Sequence, residues 1–325
     1  MNFLILSAGR RCELVRYFVE EFKGVGNVVV TDCSSLAPAL YVADKAYIVP
    51  PINNENYIDV IKKICVKENI KGLISLIDPE LSLIAANIEE FNSIGVTCFI
   101  SNFESVECCF DKYSMFKFLD LNNFNTAKTF NNLESLKNAY EKGQITYPVF
   151  IKPQCGSASI NVNKVNTLQE VELYFNKYHD IIVQEFLDGT EIGVDVYVDV
   201  LSGQVISIFA KEKIKMRAGE TDKSKSIICP KLFDIIQELV LKLKLRGPID
   251  IDVFKINNNY YISEINPRFG GGYPHAYQCG VNFIKMILNN LNGNINNVNI
   301  SNYNPNVYAI KSDTIKVIRE EQVIS

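Results

Sequence analysis

Short runs of wholly apolar residues alternate with helix-period segments through the first third of the chain, and few folds satisfy that pattern. Residues 3–6, Val28–Thr31, Ala46–Val49, Gly72–Ile77 and Val96–Ile100 read as strands. Between them Cys12–Phe22 sets Leu14, Val15, Phe18 and Phe22 on one helical face, Asn56–Glu68 forms a second helix, and Pro79 opens a third. Strands that are apolar on both sides and separated by helices predict a parallel sheet covered on both faces. Ligands of such sheets sit beyond the carboxyl ends of the strands. Those ends carry Ser7-Ala8-Gly9-Arg10-Arg11, Asp32-Cys33-Ser34-Ser35 and Asp78-Pro79-Glu80. No G-x-G-x-x-G run follows the first strand, so an NAD site is not expected.

Charge and length narrow the function. The 325 residues suit two domains at about 150 residues each, and 47% apolar against 22% charged is the balance of a globular protein. Lys and Arg total 33 against 37 Asp and Glu, a formal charge of -4, which argues against a nucleic-acid partner. No apolar stretch approaches the roughly 20 residues of a membrane span, and the N-terminus lacks the basic start and cleavage site of a signal peptide. Nine scattered cysteines without a C-x-x-C pair read as reduced structural thiols. A cytoplasmic protein without membrane partners is expected.

From about residue 109 the texture changes. Phe110–Leu119 reads as a helix. Ile181–Phe186, Ile192–Val200 and Gln204–Lys213 read as successive strands, Lys231–Leu245 as a helix, and Ile249–Ile256 and Tyr260–Ile265 as a hairpin across Asn257-Asn258-Asn259. Strands followed by helices indicate an α+β region after the α/β one.

The chemistry concentrates in three segments. In Glu264-Ile265-Asn266-Pro267-Arg268, residues two apart share a face, and the preceding strand offers Asp250 and Asp252 in the same way. A hairpin sets Asp252 beside Glu264 with no cation evident between them, and two carboxylates with an amide oxygen are the hard ligands Mg²⁺ selects. Arg268, followed by Gly270-Gly271-Gly272, offers a planar fork for phosphate oxygens. The second segment puts Lys152 at a strand end before the small-residue run Cys155-Gly156-Ser157-Ala158-Ser159, where backbone N–H groups can approach phosphates. Lys112 at a helix start is a second candidate cation. The third, Val183–Glu191, reads by itself as a strand and a turn.

In this order the three resemble the ATP-grasp superfamily, over almost the whole chain. The E-x-N-P-R ending is the most specific motif, and the K-P-x-x-G-x-x-S loop is moderately so. Within the superfamily the chain is similar to short proteins related to the carbamoyl-phosphate synthase large chain and to carboxylate–amine ligases such as the pyrrolysine-biosynthesis ligase. The resemblance implies a Rossmann-like pre-ATP-grasp domain over 1–108, then a two-lobed ATP-grasp domain over 109–300 with lobes at about 109–183 and 184–300. A C-terminal strand hairpin over 301–325 is expected to follow. It further implies that Lys112, Lys152, Gly156 and Ser157 meet the ATP phosphates. Gln184, Glu185, Phe186 and Leu187 would hold adenine through their backbone, and Glu191 the ribose. Asp252, Glu264 and Asn266 would bind Mg²⁺ (two ions, with Mn²⁺ able to substitute), and Arg268 with Lys152 and Asn266 would act on the transferring phosphoryl group. Asp252 departs from the glutamine common in carbamoyl-phosphate enzymes.

The implied activity is an ATP- and Mg²⁺-dependent carboxylate–amine ligase working through an acyl phosphate on two small molecules. The alternatives are a phosphotransferase, a carbamoyl-phosphate-synthase-like enzyme, or a non-catalytic nucleotide-binding module. For the substrate, Arg10 offers an anion contact, and Asp78 and Glu80 offer contacts to an amino group. His275 is a further candidate. The charged segment Lys211–Lys225, with Arg217 and Lys223, reads either as a loop that folds over substrate or as a solvated loop. A homodimer is left open.

Overall fold

A computed structural model describes residues 1–156, 163–217 and 219–324. Strands β1 (Asn2–Leu6), β2 (Val28–Asp32), β3 (Lys45–Ile48), β4 (Ile70–Ser75) and β5 (Thr97–Cys98) form one parallel sheet in the order β3-β2-β1-β4-β5. Helices α1 (Cys12–Phe22), α2 (Tyr57–Lys67), α3 (Asp78–Ala86) and α4 (Ile88–Ser93) cover it. The runs are wholly apolar because alternate residues enter different cores. Phe3, Ile5, Val28 and Val30 join one cluster, and Leu4, Leu6, Val29 and Leu73 the other. The winding direction reverses between β1 and β4, so the loops after these two strands flank the position where doubly wound sheets bind ligands.

A second layer begins with α5 (Phe103–Phe110) and α6 (Lys112–Leu121). The single helix expected over Phe110–Leu119 is thus the end of one helix and most of another. The break falls at Asp111, whose Oδ1 accepts from the N–H groups of Tyr113 and Ser114 at 2.9 Å and so caps α6. A four-stranded sheet follows, built from β6 (Thr129–Phe130), β7 (Val149–Pro153), β8 (Asn163–Val165) and β9 (Ile181–Glu185) in the order β6-β9-β7-β8. Helices α7 (Leu133–Glu141) and α8 (Leu168–Lys177) pack on it through Leu136, Ala139 and Val171.

The third layer is a six-stranded antiparallel sheet in the order β14-β13-β10-β11-β12-β15. Its strands are β10 (Thr190–Val198), β11 (Val205–Arg217), β12 (Glu220–Ile227), β13 (Gly247–Ile256), β14 (Asn259–Asn266) and β15 (Tyr308–Ile310). Helices α9 (Pro230–Lys242), α10 (Tyr273–Gln278) and α11 (Phe283–Leu291) complete it. Ile192, Val194, Ile208, Ile251 and Val253 join α9 in the core, while the intervening residues give the opposite face its charge.

Two expectations are corrected here. Lys211–Lys225 is no loop: β11 continues to Arg217 and β12 returns from Glu220, pairing Lys211 with Ser226 and Lys213 with Ser224. The buried positions of β12 are Asp222, Ser224 and Ser226, so the segment lacks the apolar alternation that marks a strand. The C-terminal segment forms no hairpin of its own among the described residues. It adds the single strand β15 to β12 and then runs back to the parallel-sheet layer, where Lys316 Nζ donates to the Tyr41 carbonyl at 3.1 Å.

Asp111 also ties α6 to the four-stranded sheet, since its Oδ2 accepts from Gln154 Nε2 at 2.8 Å while Lys112 N–H donates to the Gln154 carbonyl at 3.0 Å. Asp111→Ala is expected to cost about 1–2 kcal/mol, read from the urea midpoint, and Asp111→Asn to cost less. An unchanged midpoint in Asp111→Ala would contradict the capping account.

Candidate active site

The three layers enclose a cavity of about 670 Å³, within the range of small-molecule sites. Each layer contributes a different chemistry to it: Arg10, Arg11 and Asp78 from the parallel sheet, Lys152 from the four-stranded sheet, and Lys213, Asp252 and Glu264 from the six-stranded sheet.

At the basic end, Lys152 lies on β7 and Lys112 opens α6, 40 residues away in sequence yet both on the cavity wall. Lys112 Nζ donates to the Gly156 carbonyl, which draws the loop after β7 against α6. Among the described residues the Lys152 ammonium has neither an ion pair nor a hydrogen bond. Burial pulls its pKa below the ordinary value, and Glu264, Asp252 and Glu191 oppose that shift. Ser157 lies outside the described residues.

Beside the lysines are Gln184, Glu185 and Leu187, at the end of β9, with apolar surface from Ala127, Phe150 and Phe254. Gln184 spends its amide on Thr129 Oγ1 at 2.9 Å. The Phe186 ring turns away, packing on Phe150 with centroids 5.5 Å apart beneath the Lys164 ammonium.

The acidic face follows from register. Asp252 pairs with Glu264 and Asp250 with Asn266 across β13 and β14, so the two carboxylates stand side by side as expected, by way of a register shift between Asp252 and Val253 that skips Ser263. No cation pairs with Glu264 among the described residues, but Asp252 has one, unexpected from the sequence. Lys213, from β11, lies 2.8 Å from Glu191 Oε1 and 2.6 Å from Asp252 Oδ1. The strand that ends in Lys213 is legible in sequence, but the sheet order that sets β10 between β11 and β13, and so brings this lysine to Asp252, is not. Even so, burial and the neighbouring Asp250 and Glu264 hold the Asp252 carboxyl above its ordinary pKa, outweighing Lys213. Among the described residues no three His, Cys, Asp or Glu side chains gather into a metal-binding group. The donors present are two carboxylates and the Asn266 amide, with excess negative charge to be neutralised. That set fits a hard cation completing its shell with phosphate oxygens and water.

Arg268, 9% exposed, closes the site. Its Nε and Nη2 donate to Asp78 Oδ2 at 3.3 and 3.0 Å, and its Nη1 donates to the Phe269 carbonyl at 3.1 Å and lies 3.8 Å from Asp250. Asp78 therefore holds the arginine. The three glycines that follow make room for side chains. A Cβ on Gly270 would strike Asp250 Oδ1, one on Gly271 would lie 2.6 Å from Arg11 Nη1, and one on Gly272 would lie 2.6 Å from Lys211 Cε.

Four proposed substrate contacts do not reach the cavity. Glu80 is fully buried and accepts hydrogen bonds from Ser7, Tyr57 and Ser75 hydroxyls, with burial raising its pKa. Arg217 pairs with Asp222 at 3.0 Å and Asp313 at 2.6 Å, and Lys223 points to solvent on the outer face of β12. His275 is buried against Phe209, with its Nδ1 2.8 Å from Ser224 Oγ. Pro79, Met216, Thr221 and Gly272, one to three residues from them, do line the cavity, so proximity along the chain misplaces them.

Two family models match this chain, an ATP-grasp domain over residues 109–272 and a PylC-like N-terminal domain over residues 3–99. The chain belongs to the ATP-grasp family. The carbamoyl phosphate synthase large chain of Clostridium acetobutylicum is 24% identical over 267 residues, which are 77% of this chain but 24% of that protein. This ATP-grasp chain thus spans about a quarter of that relative's length. Among solved structures, an L-amino acid ligase from Bacillus licheniformis aligns with a TM-score of 0.68 at 20% identity, over 89% of this chain and 74% of its own. The biotin carboxylase domain of the Hydrogenobacter thermophilus 2-oxoglutarate carboxylase, a dimer with MgADP and bicarbonate, aligns with a TM-score of 0.75 at 16% identity, over 94% of this chain and 73% of its own. These likenesses are of fold. No helix among the described residues is long and apolar enough to cross a membrane.

Burial, aided by Lys211, draws the His275 pKa from 6.5 down to about 4. The folded protein keeps this ring neutral where the unfolded chain protonates it, so its share of stability is present above pH 6.5 and falls as pH drops toward about 4. Urea midpoints across that window should fall more steeply in wild type than in His275→Gln. Parallel pH profiles would contradict a buried neutral histidine.

Proposed function

We propose that this protein is an ATP- and Mg²⁺-dependent ligase joining a small carboxylate to an amine, with release of ADP and phosphate. One observation carries the reading: a single cavity sets Lys112 and Lys152 opposite Asp252, Glu264 and Asn266, with Arg268 at the junction. Phosphoryl transfer asks chiefly for charge neutralisation and alignment, and these residues supply both.

In this reading the adenine lies against Phe150, Leu187 and Phe254 beside the backbone of Gln184–Leu187, and Glu191 meets the ribose. Lys112, Lys152, Gly156 and Ser157 receive the phosphates. Asp252, Glu264 and Asn266 hold Mg²⁺, two ions by the family's pattern with Mn²⁺ as a substitute, and the metal supplies neutralisation of phosphate charge. Arg268 has five N–H donors, of which Asp78 and Phe269 engage three, so two remain for the γ-phosphoryl oxygens. An oxygen of the substrate carboxylate attacks the γ-phosphorus and ADP leaves. The amine then attacks the acyl carbon of the acyl phosphate, phosphate departs, and the amine loses a proton. The partners are small molecules and the location is cytoplasmic.

ADP release measured across carboxylates and amines, singly and in pairs, tests this. A ligase releases ADP fast only with both present, whereas full release with a carboxylate alone and a stable phosphorylated product identifies a phosphotransferase. Asp252→Asn and Glu264→Gln should each lower turnover about a hundredfold with the thermal midpoint retained. Near-normal turnover at saturating Mg²⁺ would sink the metal assignment. Lys152→Ala should weaken ATP in calorimetry and leave adenosine binding nearly intact; equal losses would point instead to a collapsed lobe.

A further inference from the structure

We propose that one of the two substrates carries an anionic group that does not react and is seated on Arg10 and Arg11. The inference rests on the ligase reading for what the cavity does, and it names the class: a small carboxylate or amine bearing a further carboxylate or phosphate.

The loop that carries the pair is rigidly built. Asp32 at the end of β2 accepts from Gly9 N–H at 2.8 Å and from Ser34 N–H at 2.9 Å, and Ala39 N–H donates to the Gly9 carbonyl at 3.1 Å. Arg11 is directed over Gly271, where a Cβ would lie 2.6 Å from its Nη1, toward the end of the cavity occupied by Arg268. Its one ion pair is loose, 3.6 Å to Glu220, and Glu220 is shared with Lys311. Arg10 lines the cavity with neither an ion pair nor a hydrogen bond among the described residues.

On the cavity wall the two arginines share one paired carboxylate, Glu220, which also serves Lys311, while Asp222 and Asp313 are taken by Arg217. Arg268 cannot serve the same purpose, since Asp78 and Asp250 already neutralise it. The phosphate-facing lysines lie on other layers of the cavity wall. An uncommitted guanidinium and a weakly paired one, on a fixed loop at the switch point of a parallel sheet, form a fork suited to a carboxylate or phosphate. Holding the substrate by an unreactive anion would align its reacting group beside Arg268.

The test uses matched probes on the full chain: succinate against succinamate, L-glutamate against L-glutamine, and 3-phosphoglycerate as the phosphate arm. Among compounds that support ADP release, the form with the extra anion should show a KM about tenfold or more below its neutral amide. Arg10→Gln and Arg11→Gln should each raise that KM about tenfold, leaving the amide's KM and the ATP KM unchanged. Gly271→Ala, which displaces Arg11 without altering charge, should act in the same direction. A preference for 3-phosphoglycerate assigns a phosphate to the pair, and a preference for the dicarboxylates assigns a carboxylate. Calorimetry with the same probes separates the two readings. Binding that depends on both arginines without ADP release would sink the ligase and keep the anion site. Turnover equal for acid and amide, equal losses in ATP affinity, or no saturable binding by any probe would overturn the anion site.

Discussion

A guanidinium from the end of one sheet, gripped by a carboxylate from another, organises this molecule. Arg268 follows β14 and Asp78 opens α3, and their two hydrogen bonds join residues 190 positions apart in a buried setting. Removing one partner of such a pair strands the other charge at a cost of about 3–5 kcal/mol, far more than the pair itself contributes. The contact therefore fixes orientation more than it adds stability. It aims the remaining donors of Arg268 into the cavity and brings the loops after β1 and β4 to the cavity's far wall.

The rest of the site answers the question of where each charge is balanced. On the polar face of the six-stranded sheet, Lys211 is fully buried against Asp195, and Lys213 serves both Glu191 and Asp252. That leaves Asp250 and Glu264 crowding Asp252, whose carboxyl is pushed up in consequence. Facing them across the cavity, Lys152 is an ammonium without a protein partner among the described residues. A region short of cations opposite one short of anions is the electrostatic signature of a site completed by a polyphosphate and its metal. The glycine run after Arg268 gives this arrangement its room, since Asp250, Arg11 and Lys211 each pass where a side chain would otherwise stand.

Much of this is legible in sequence where one physical rule dominates. Strands buried on both faces must be apolar throughout, so the parallel sheet can be read almost strand by strand. Hairpin pairing across Asn257–Asn259 likewise brings Asp252 close to Glu264, although a register shift between Asp252 and Val253, unseen in the strand pattern, is what sets them opposite. The rule fails where a buried face is polar. β12 hides Asp222, Ser224 and Ser226 and so does not read as a strand, and the position of Lys213 beside the acids depends on a sheet order, β13-β10-β11, that strand patterns do not reveal. Contacts between distant segments are equally hidden. Taken singly, Asp78 and Arg268 each suit a ligand, yet in the fold each is largely committed to the other. Glu80 and His275 have the chemistry of site residues, but their helices turn them inward to hydroxyl partners.

Isotope transfer tests the central claim most directly. With the carboxylate substrate labelled with ¹⁸O in its carboxyl group, attack on the γ-phosphorus moves one substrate oxygen into the phosphate that is finally released. The account predicts one labelled oxygen per phosphate, formed in step with ADP and with the amide product. Phosphate carrying no substrate oxygen, while amide accumulates at the normal rate, would contradict activation through an acyl phosphate in this cavity.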